Sequence, residues 1–359
     1  MAQSTHIGYR RIQKGIGCVV CLFLFVCALV SAAPVAKADV VQAAAGTSAA
    51  VVMEATTGRV LYQNNAYVPK PMASTTKILT AITAIEHLAF DKTVSISPQA
   101  AGIEGSSIYL KAGEQWRVED LLYGLMLRSG NDAACQLALS TAGSIQAFAA
   151  LMNDTAYRAG AYRSHFCNPH GLHEDNHYTT AYDLACITAY SMRNPLFCQI
   201  VATRTHRYSV GGEQRVFVNK NKMLQGYEGA IGVKTGYTKV AGRCLVTAAE
   251  RDGMRLIAVV LNEYDMWYRS AELLDNAFAE YTLRDVWTAG DVKTATLRGT
   301  PTPVTVRHTY RYPLSAAEMD RLQYDFSLSG RRSNDPCLGE VVVRLDNRVL
   351  FRDKVYLSL

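Results

Sequence analysis

Past its N-terminal segment the sequence has no apolar run long enough to span a bilayer as a helix, which excludes a bundle of membrane-spanning helices there. A strong charge bias is also missing. The formal charge is +6, but the first 38 residues hold Arg10, Arg11, Lys14 and Lys37 and no acidic residue. Beyond them stand 33 basic residues against 31 acidic, a balance of +2. No basic stripe of the kind that binds nucleic acid survives. Zinc-type cysteine spacing is absent too. Of the nine cysteines, Cys18, Cys21 and Cys27 fall in the N-terminal segment. Cys135, Cys186 and Cys244 sit inside apolar runs and read as buried thiols. Cys337 and a Cys167–Cys198 bridge are left open. His170, His173 and His177 share one loop, at a spacing that matches no usual zinc motif, so neither metal nor cofactor is implied.

What is present begins with a leader. Arg10, Arg11 and Lys14 precede an apolar stretch from Ile16 to Val30, and Ala36-Lys37-Ala38 offers a small-x-small cleavage site. Residues 1–38 therefore read as a signal peptide, with an uncleaved anchor as the other reading. Either one puts the remainder outside the cytoplasmic membrane, where disulfides are permitted. At 359 residues the chain is long enough for two domains after such a leader.

Taken in order, residues 39–47 are small and Ala-rich, a linker. Residues 49–54 and 59–63 read as a hairpin around Thr56-Thr57-Gly58. A helical run follows through Ile78, Leu79, Ile82, Ile85 and Leu88, with Pro71 just before its start. Residues 91–118 look irregular, punctuated by Pro98, Gly102, Gly105 and Gly113. Helical periodicity returns from Val118, from Ala133, from Ile145 and over 181–192, the last with Thr180 as cap. Residues 231–237, 244–249 and 255–261 read as strands, the last two joined at Asp252-Gly253. A helix over 268–281 closes this part. Strands at both ends of a helical middle predict an α+β fold, one antiparallel sheet flanked by helices with an all-helical subregion. The first part, 48–287, then gives way to short alternating runs at 293–297, 304–307, 323–328 and 341–345, a small β-rich domain over 288–359.

Three short words carry the chemistry. Ser74-x-x-Lys77 opens the first helix, and residues three apart share a helix face, so hydroxyl and amine point the same way. A hydroxyl needs a nearby base to become a nucleophile, and a lysine kept neutral can be that base. Ser129-x-Asn131 follows an apolar helix, and Lys234-Thr235-Gly236 lies on a strand. Each alone reads equally well as a helix start, a helix end or a strand end. In this order, on these elements, they form the three-part set of β-lactamases and penicillin-binding proteins.

The chain resembles the low-molecular-mass D-alanyl-D-alanine carboxypeptidases of the S11 peptidase type. The supporting words are Ala73-Ser74-Thr75-Thr76-Lys77, Ser129-Gly130-Asn131-Asp132-Ala133, Asn168-Pro169-His170-Gly171-Leu172, Asn176-His177-Tyr178-Thr179-Thr180 and Gly232-Val233-Lys234-Thr235-Gly236-Tyr237-Thr238. The resemblance implies a catalytic set of Ser74, Lys77 and Ser129, with Ser74 forming an acyl-enzyme, Lys77 taking its proton and Ser129 relaying one to the leaving nitrogen. It implies substrate contacts from Asn131, Lys234, Thr235, Gly236 and Tyr237, with backbone amides of Ser74 and Tyr237 as the oxyanion site. Lys234 would also oppose protonation of Lys77, and Gly236 would let the substrate backbone lie close. The substrate would be a peptidoglycan stem ending in D-Ala-D-Ala, with β-lactams as inhibitors. The location would be the periplasm or the outer face of the cytoplasmic membrane, associated with the cell wall, with or without peripheral membrane attachment. A D,D-endopeptidase, a weak β-lactamase or a catalytically silent penicillin sensor remain as alternatives. The Glu-x-x-Leu-Asn word of class A β-lactamases is missing, since Glu174 is followed by Asp175, Asn176, His177 and Tyr178.

Overall fold

The computed structural model describes residues 47–329 and 337–358. The leader, and all of the linker except Thr47, lie outside the described residues. The strands are β1 (Ala49–Glu54), β2 (Val60–Asn64), β3 (Thr93–Ser95), β4 (Gln115–Arg117), β5 (Thr205–Val210), β6 (Glu213–Val218), β7 (Ala230–Thr238), β8 (Gly242–Arg251) and β9 (Met254–Leu261). Five of them form an antiparallel sheet in the order β2-β1-β9-β8-β7. Chain ends far apart in sequence thus meet at the β1–β9 pair, with Ala49 opposite Leu261.

Side-chain alternation explains why β1 is apolar from Ala49 to Met53. Ala49, Val51 and Met53 enter the larger core, beneath the helices, while Ala50 and Val52 enter a second core on the other face. A strand covered on both sides carries no polar face. The second face is covered by the helix Met266–Glu280, through Leu273, Leu274 and Ala277. On the first face sit the helices Lys77–His87, Asn131–Ala142, Ile145–Arg158, Ala181–Ser191 and Pro195–Ala202. Thr180 caps its helix as expected, accepting from the Asp183 amide at 2.9 Å. Asp252 and Gly253 both adopt positive φ, the backbone a two-residue hairpin turn demands.

Three stretches differ from the sequence reading. Residues 91–118 contain the small β3–β4 pair around buried Trp116. Residues 205–218 form the β5–β6 hairpin, turned at Gly211-Gly212. The run from Val118 is α-helical to Tyr123 and then widens into a π turn over Gly124–Arg128. No bridge joins Cys167 and Cys198; both are free thiols, as are Cys135, Cys186 and Cys244.

The C-terminal part is β-rich: β10 (Thr282–Trp287), β11 (Lys293–Leu297), β12 (Thr300–Thr305), β13 (Tyr310–Leu314), β14 (Leu322–Leu328), β15 (Cys337–Leu345) and β16 (Arg348–Leu357). β10 pairs with β13, and the other five form a second sheet, β11-β12-β16-β15-β14, around buried Trp287, Val304, Val341 and Val355. Arg59, at the foot of β2, reaches across to this part. Its guanidinium donates to the Pro313 carbonyl and to Glu318 Oε1, and lies over the rings of Tyr281 and Tyr312.

Candidate active site

Ser74 sits on a strained turn. Ala73 has φ +50°, left-handed for a residue with a side chain, and a 3-10 turn over Ala73–Thr76 leads into the helix that starts at Lys77. Two hydroxyls hold this turn from inside, Thr75 Oγ1 donating to the Met72 carbonyl at 2.6 Å and Thr76 Oγ1 to the Ala73 carbonyl at 2.9 Å. β7 lies against the turn at Gly236. A Cβ there would stand 3.0 Å from the Met72 carbonyl oxygen and 3.1 Å from the amide nitrogens of Ser74 and Thr75. On this side the room that glycine leaves is taken by the Ser74 turn, while Gly236 also lines the cavity described below.

Lys77 is fully buried. Its Nζ lies 3.0 Å from Ser74 Oγ, 2.7 Å from Asn131 Oδ1 and 2.6 Å from the His170 carbonyl oxygen. The Asn131 amide can face only one way, because its Nδ2 donates to the Glu104 carbonyl at 2.6 Å, and that oxygen can only accept. Two of the three neighbours of the amine are thus obligate acceptors. Among the described residues no carboxylate pairs with it. Burial, and then the nearby Lys234 ammonium, hold Lys77 well below the usual lysine range.

Ser129 follows the π turn with φ +67°, and this left-handed residue swings the chain into the helix carrying Asn131. Asp132 fastens the facing loop, accepting from the amides of Ile108 and Leu110 and from Ser107 Oγ. A cavity of about 760 Å³ opens here, lined by Ser74 and Ser129 together with Thr235, Gly236 and Tyr237 of β7. Ser129 Oγ makes no hydrogen bond to Ser74 or Lys77, whose amine is instead engaged by Ser74, Asn131 and the His170 carbonyl. Lys77, Asn131 and Lys234 stand behind the wall. Lys234 is buried, with Nζ donating to the Thr235 carbonyl at 2.9 Å. Burial and the charge of Lys220 bring it down to about 7.

Cations on the wall itself come from residues the sequence reading passed over. Lys220 and Arg243 line the cavity with Asn262, Tyr264 and Trp267. Arg243 lies opposite Tyr237 on β8, its guanidinium 5.0 Å from the Tyr264 ring centroid. Lys220 is held in a built loop, where Asn219 Oδ1 accepts from the Asn221 amide and Asn221 Oδ1 from that of Met223. That Asn-x-Asn spacing was the available signal. Arg243 and Tyr264 had none, since only the sheet brings them together. His170, His173 and His177 form no metal site; among the described residues no group of three or more His, Cys, Asp or Glu is placed to hold a metal. Glu174 accepts from Asn168 Nδ2 at 2.6 Å and is absent from the cavity wall.

A five-stranded antiparallel sheet between helical layers, with a serine–lysine pair at the junction, defines the serine penicillin-binding class of fold. Residues 35–265 match the family model of Peptidase_S11, D-alanyl-D-alanine carboxypeptidase. The chain belongs to that family. The D-alanyl-D-alanine carboxypeptidase DacF of Bacillus subtilis is 36% identical over 241 residues, 65% of this chain and 62% of that protein. A D-alanyl-D-alanine endopeptidase of Pseudomonas aeruginosa is 30% identical over 262 residues, 70% of this chain and 83% of that protein. The solved structure of the carboxypeptidase DacD from Francisella tularensis superposes with a TM-score of 0.71 at 27% identity, covering 87% of this chain and 92% of that one.

Proposed function

We propose that the protein is a serine D,D-carboxypeptidase that removes the terminal D-alanine from peptidoglycan stem peptides and is acylated by penicillins. The contact set of Lys77 Nζ carries this reading. A neutral amine has two N–H donors and one lone pair. Asn131 Oδ1 and the His170 carbonyl take the donors, which leaves the lone pair for the Ser74 hydroxyl proton. Ser74 Oγ attacks the penultimate carbonyl while its proton passes to Lys77 Nζ. The amides of Ser74 and Tyr237 receive the oxyanion. The C–N bond breaks, D-alanine leaves with a proton relayed through Ser129, and water cleaves the ester.

Asn131 orients Lys77, and Lys234 acts through its charge. Thr235, with Lys220 and Arg243 on the wall, receives the substrate carboxylate. β7 is an edge strand, so an extended peptide can lie alongside Thr235, Gly236 and Tyr237. Residues 1–38 act as the export signal, 48–287 as the peptidase and 288–359 as a positioning module outside the cytoplasmic membrane.

The test is product analysis. A pentapeptide ending in D-Ala-D-Ala is expected to lose D-alanine, and its D-Ala-L-Ala counterpart to stay intact. Cleavage of a cross-linked dimer without release from the pentapeptide would replace this reading by the endopeptidase.

The electrostatic role of Lys234 has its own test. Its charge opposes protonation of Lys77, so Lys234→Gln lets the Lys77 pKa rise. The acid limb of the penicillin acylation profile is then expected to move to higher pH. Because Lys234 itself is held at about 7, its charge acts mainly below that pH. A limb that stays in place or moves down contradicts the role.

A further inference from the structure

The loop that follows Cys167 is tied to the Ser74 turn by a chain of three hydrogen bonds. The Cys167 amide donates to His177 Nδ1 at 3.0 Å. His177 Nε2 stands 2.9 Å from Thr76 Oγ1, and Thr76 Oγ1 stands 2.9 Å from the Ala73 carbonyl oxygen. The two ends fix every polarity between them. A backbone N–H only donates, so Nδ1 carries no proton. A carbonyl oxygen only accepts, so the Thr76 hydroxyl proton points to Ala73. The Thr76 oxygen is then an acceptor, and Nε2 must be the protonated ring nitrogen. The imidazole is buried, with its edge against the Phe166 ring, centroids 5.7 Å apart at 90°. Burial holds it down to about 3, so it is neutral throughout the working range.

The chain ends on Ala73, the left-handed residue immediately before Ser74. Nothing in the side chain of alanine favours that conformation, so the surroundings must impose it. Building on the reading of Ser74 as nucleophile, we propose that His177 is a positioning residue for acylation: a neutral imidazole protonated on Nε2 that, through Thr76, fixes the Ala73 carbonyl and so the direction of Ser74 Oγ.

The test is pre-steady-state labelling with a fluorescent penicillin. The amplitude counts folded, active protein, and the rate constant reports the alignment of the nucleophile. His177→Phe fills the pocket but breaks the chain, and is expected to lower the acylation rate constant roughly 10- to 100-fold at near-full amplitude. His177→Gln supplies one acceptor and one donor and is expected to recover most of the rate. Thr76→Val removes the middle link without touching the imidazole. It is expected to match the loss in His177→Phe, and the pair combined should lose no more than either alone. It also carries the test should His177→Phe fail to fold. Reduced amplitude with an unchanged rate constant in all three variants, or glutamine performing no better than phenylalanine, overturns the inference. Wild-type protein that takes no label sinks instead the reading of Ser74 on which it rests.

Discussion

Ser74→Ala, or Lys77→Met, is expected to slow acylation by a penicillin by about 1000-fold or more, and the double variant to be no slower than the worse single one. The reason is that in the proposed mechanism the hydroxyl and the amine act as one device. Removing either leaves the other without a partner in the reaction, so the two losses do not add. Methionine nearly matches the buried stem of Lys77 and lacks the amine. Its cost is two acceptors left unpaired, Asn131 Oδ1 and the His170 carbonyl. Against that stands relief from burying an ionisable group with no carboxylate beside it. Lys77→Met is therefore expected to fold and melt close to wild type while failing to acylate. Thermal unfolding and labelling of the same preparation check both halves. Labelling by Lys77→Met at the wild-type rate would remove the lysine from the mechanism.

Gly171→Ala is expected to damage fold and activity together. A Cβ at Gly171 would fall 1.9 Å from the Ala73 carbonyl oxygen and 2.9 Å from Thr76 Oγ1, at φ +85°. The Thr76 hydroxyl that donates to this carbonyl is crowded by the same Cβ, so the clash falls on both partners of that hydrogen bond. Relief requires the loop to lift away from the Ser74 turn, and that also withdraws the His170 carbonyl from Lys77. The expected destabilisation is about 2–4 kcal/mol, with acylation falling in whatever folds. Gly143→Ala is the control. It has φ +77° with nothing within 4 Å of an added Cβ, so it pays only the left-handed penalty, about 1–2 kcal/mol. Equal effects at the two positions would show that the clash at Gly171 is relaxed at little cost.

The parts legible in sequence were those whose chemistry is local. Ser74 and Lys77 lie one helical turn apart, the Asp252-Gly253 turn needs only its own backbone, and residues 49–54 read as a strand from their own composition. What escaped depends on distant segments meeting. Lys77 is held by the carbonyl of His170, a contact that owes nothing to that residue's side chain, so no residue type could signal it. Arg243 and Tyr264 have no sequence relation, and become neighbours only because β8 and β9 run antiparallel. The β5–β6 hairpin did carry a signal in Gly211-Gly212, but its strands are half-exposed and polar, without the apolar alternation that marks a strand. Gly236 announces a close approach, and one segment that makes it is the Ser74 turn. A glycine states that something comes close and does not say what.

The helix Met266–Glu280 begins in the cavity wall, at Met266 and Trp267, and ends where the ring of Tyr281 lies beneath Arg59. Its 15 residues make a strut of about 22 Å. The Arg59 clasp sits on β2, at the sheet edge opposite β7. The C-terminal strands are thus mounted at the far end of a rigid spacer, clear of the opening beside Ser74.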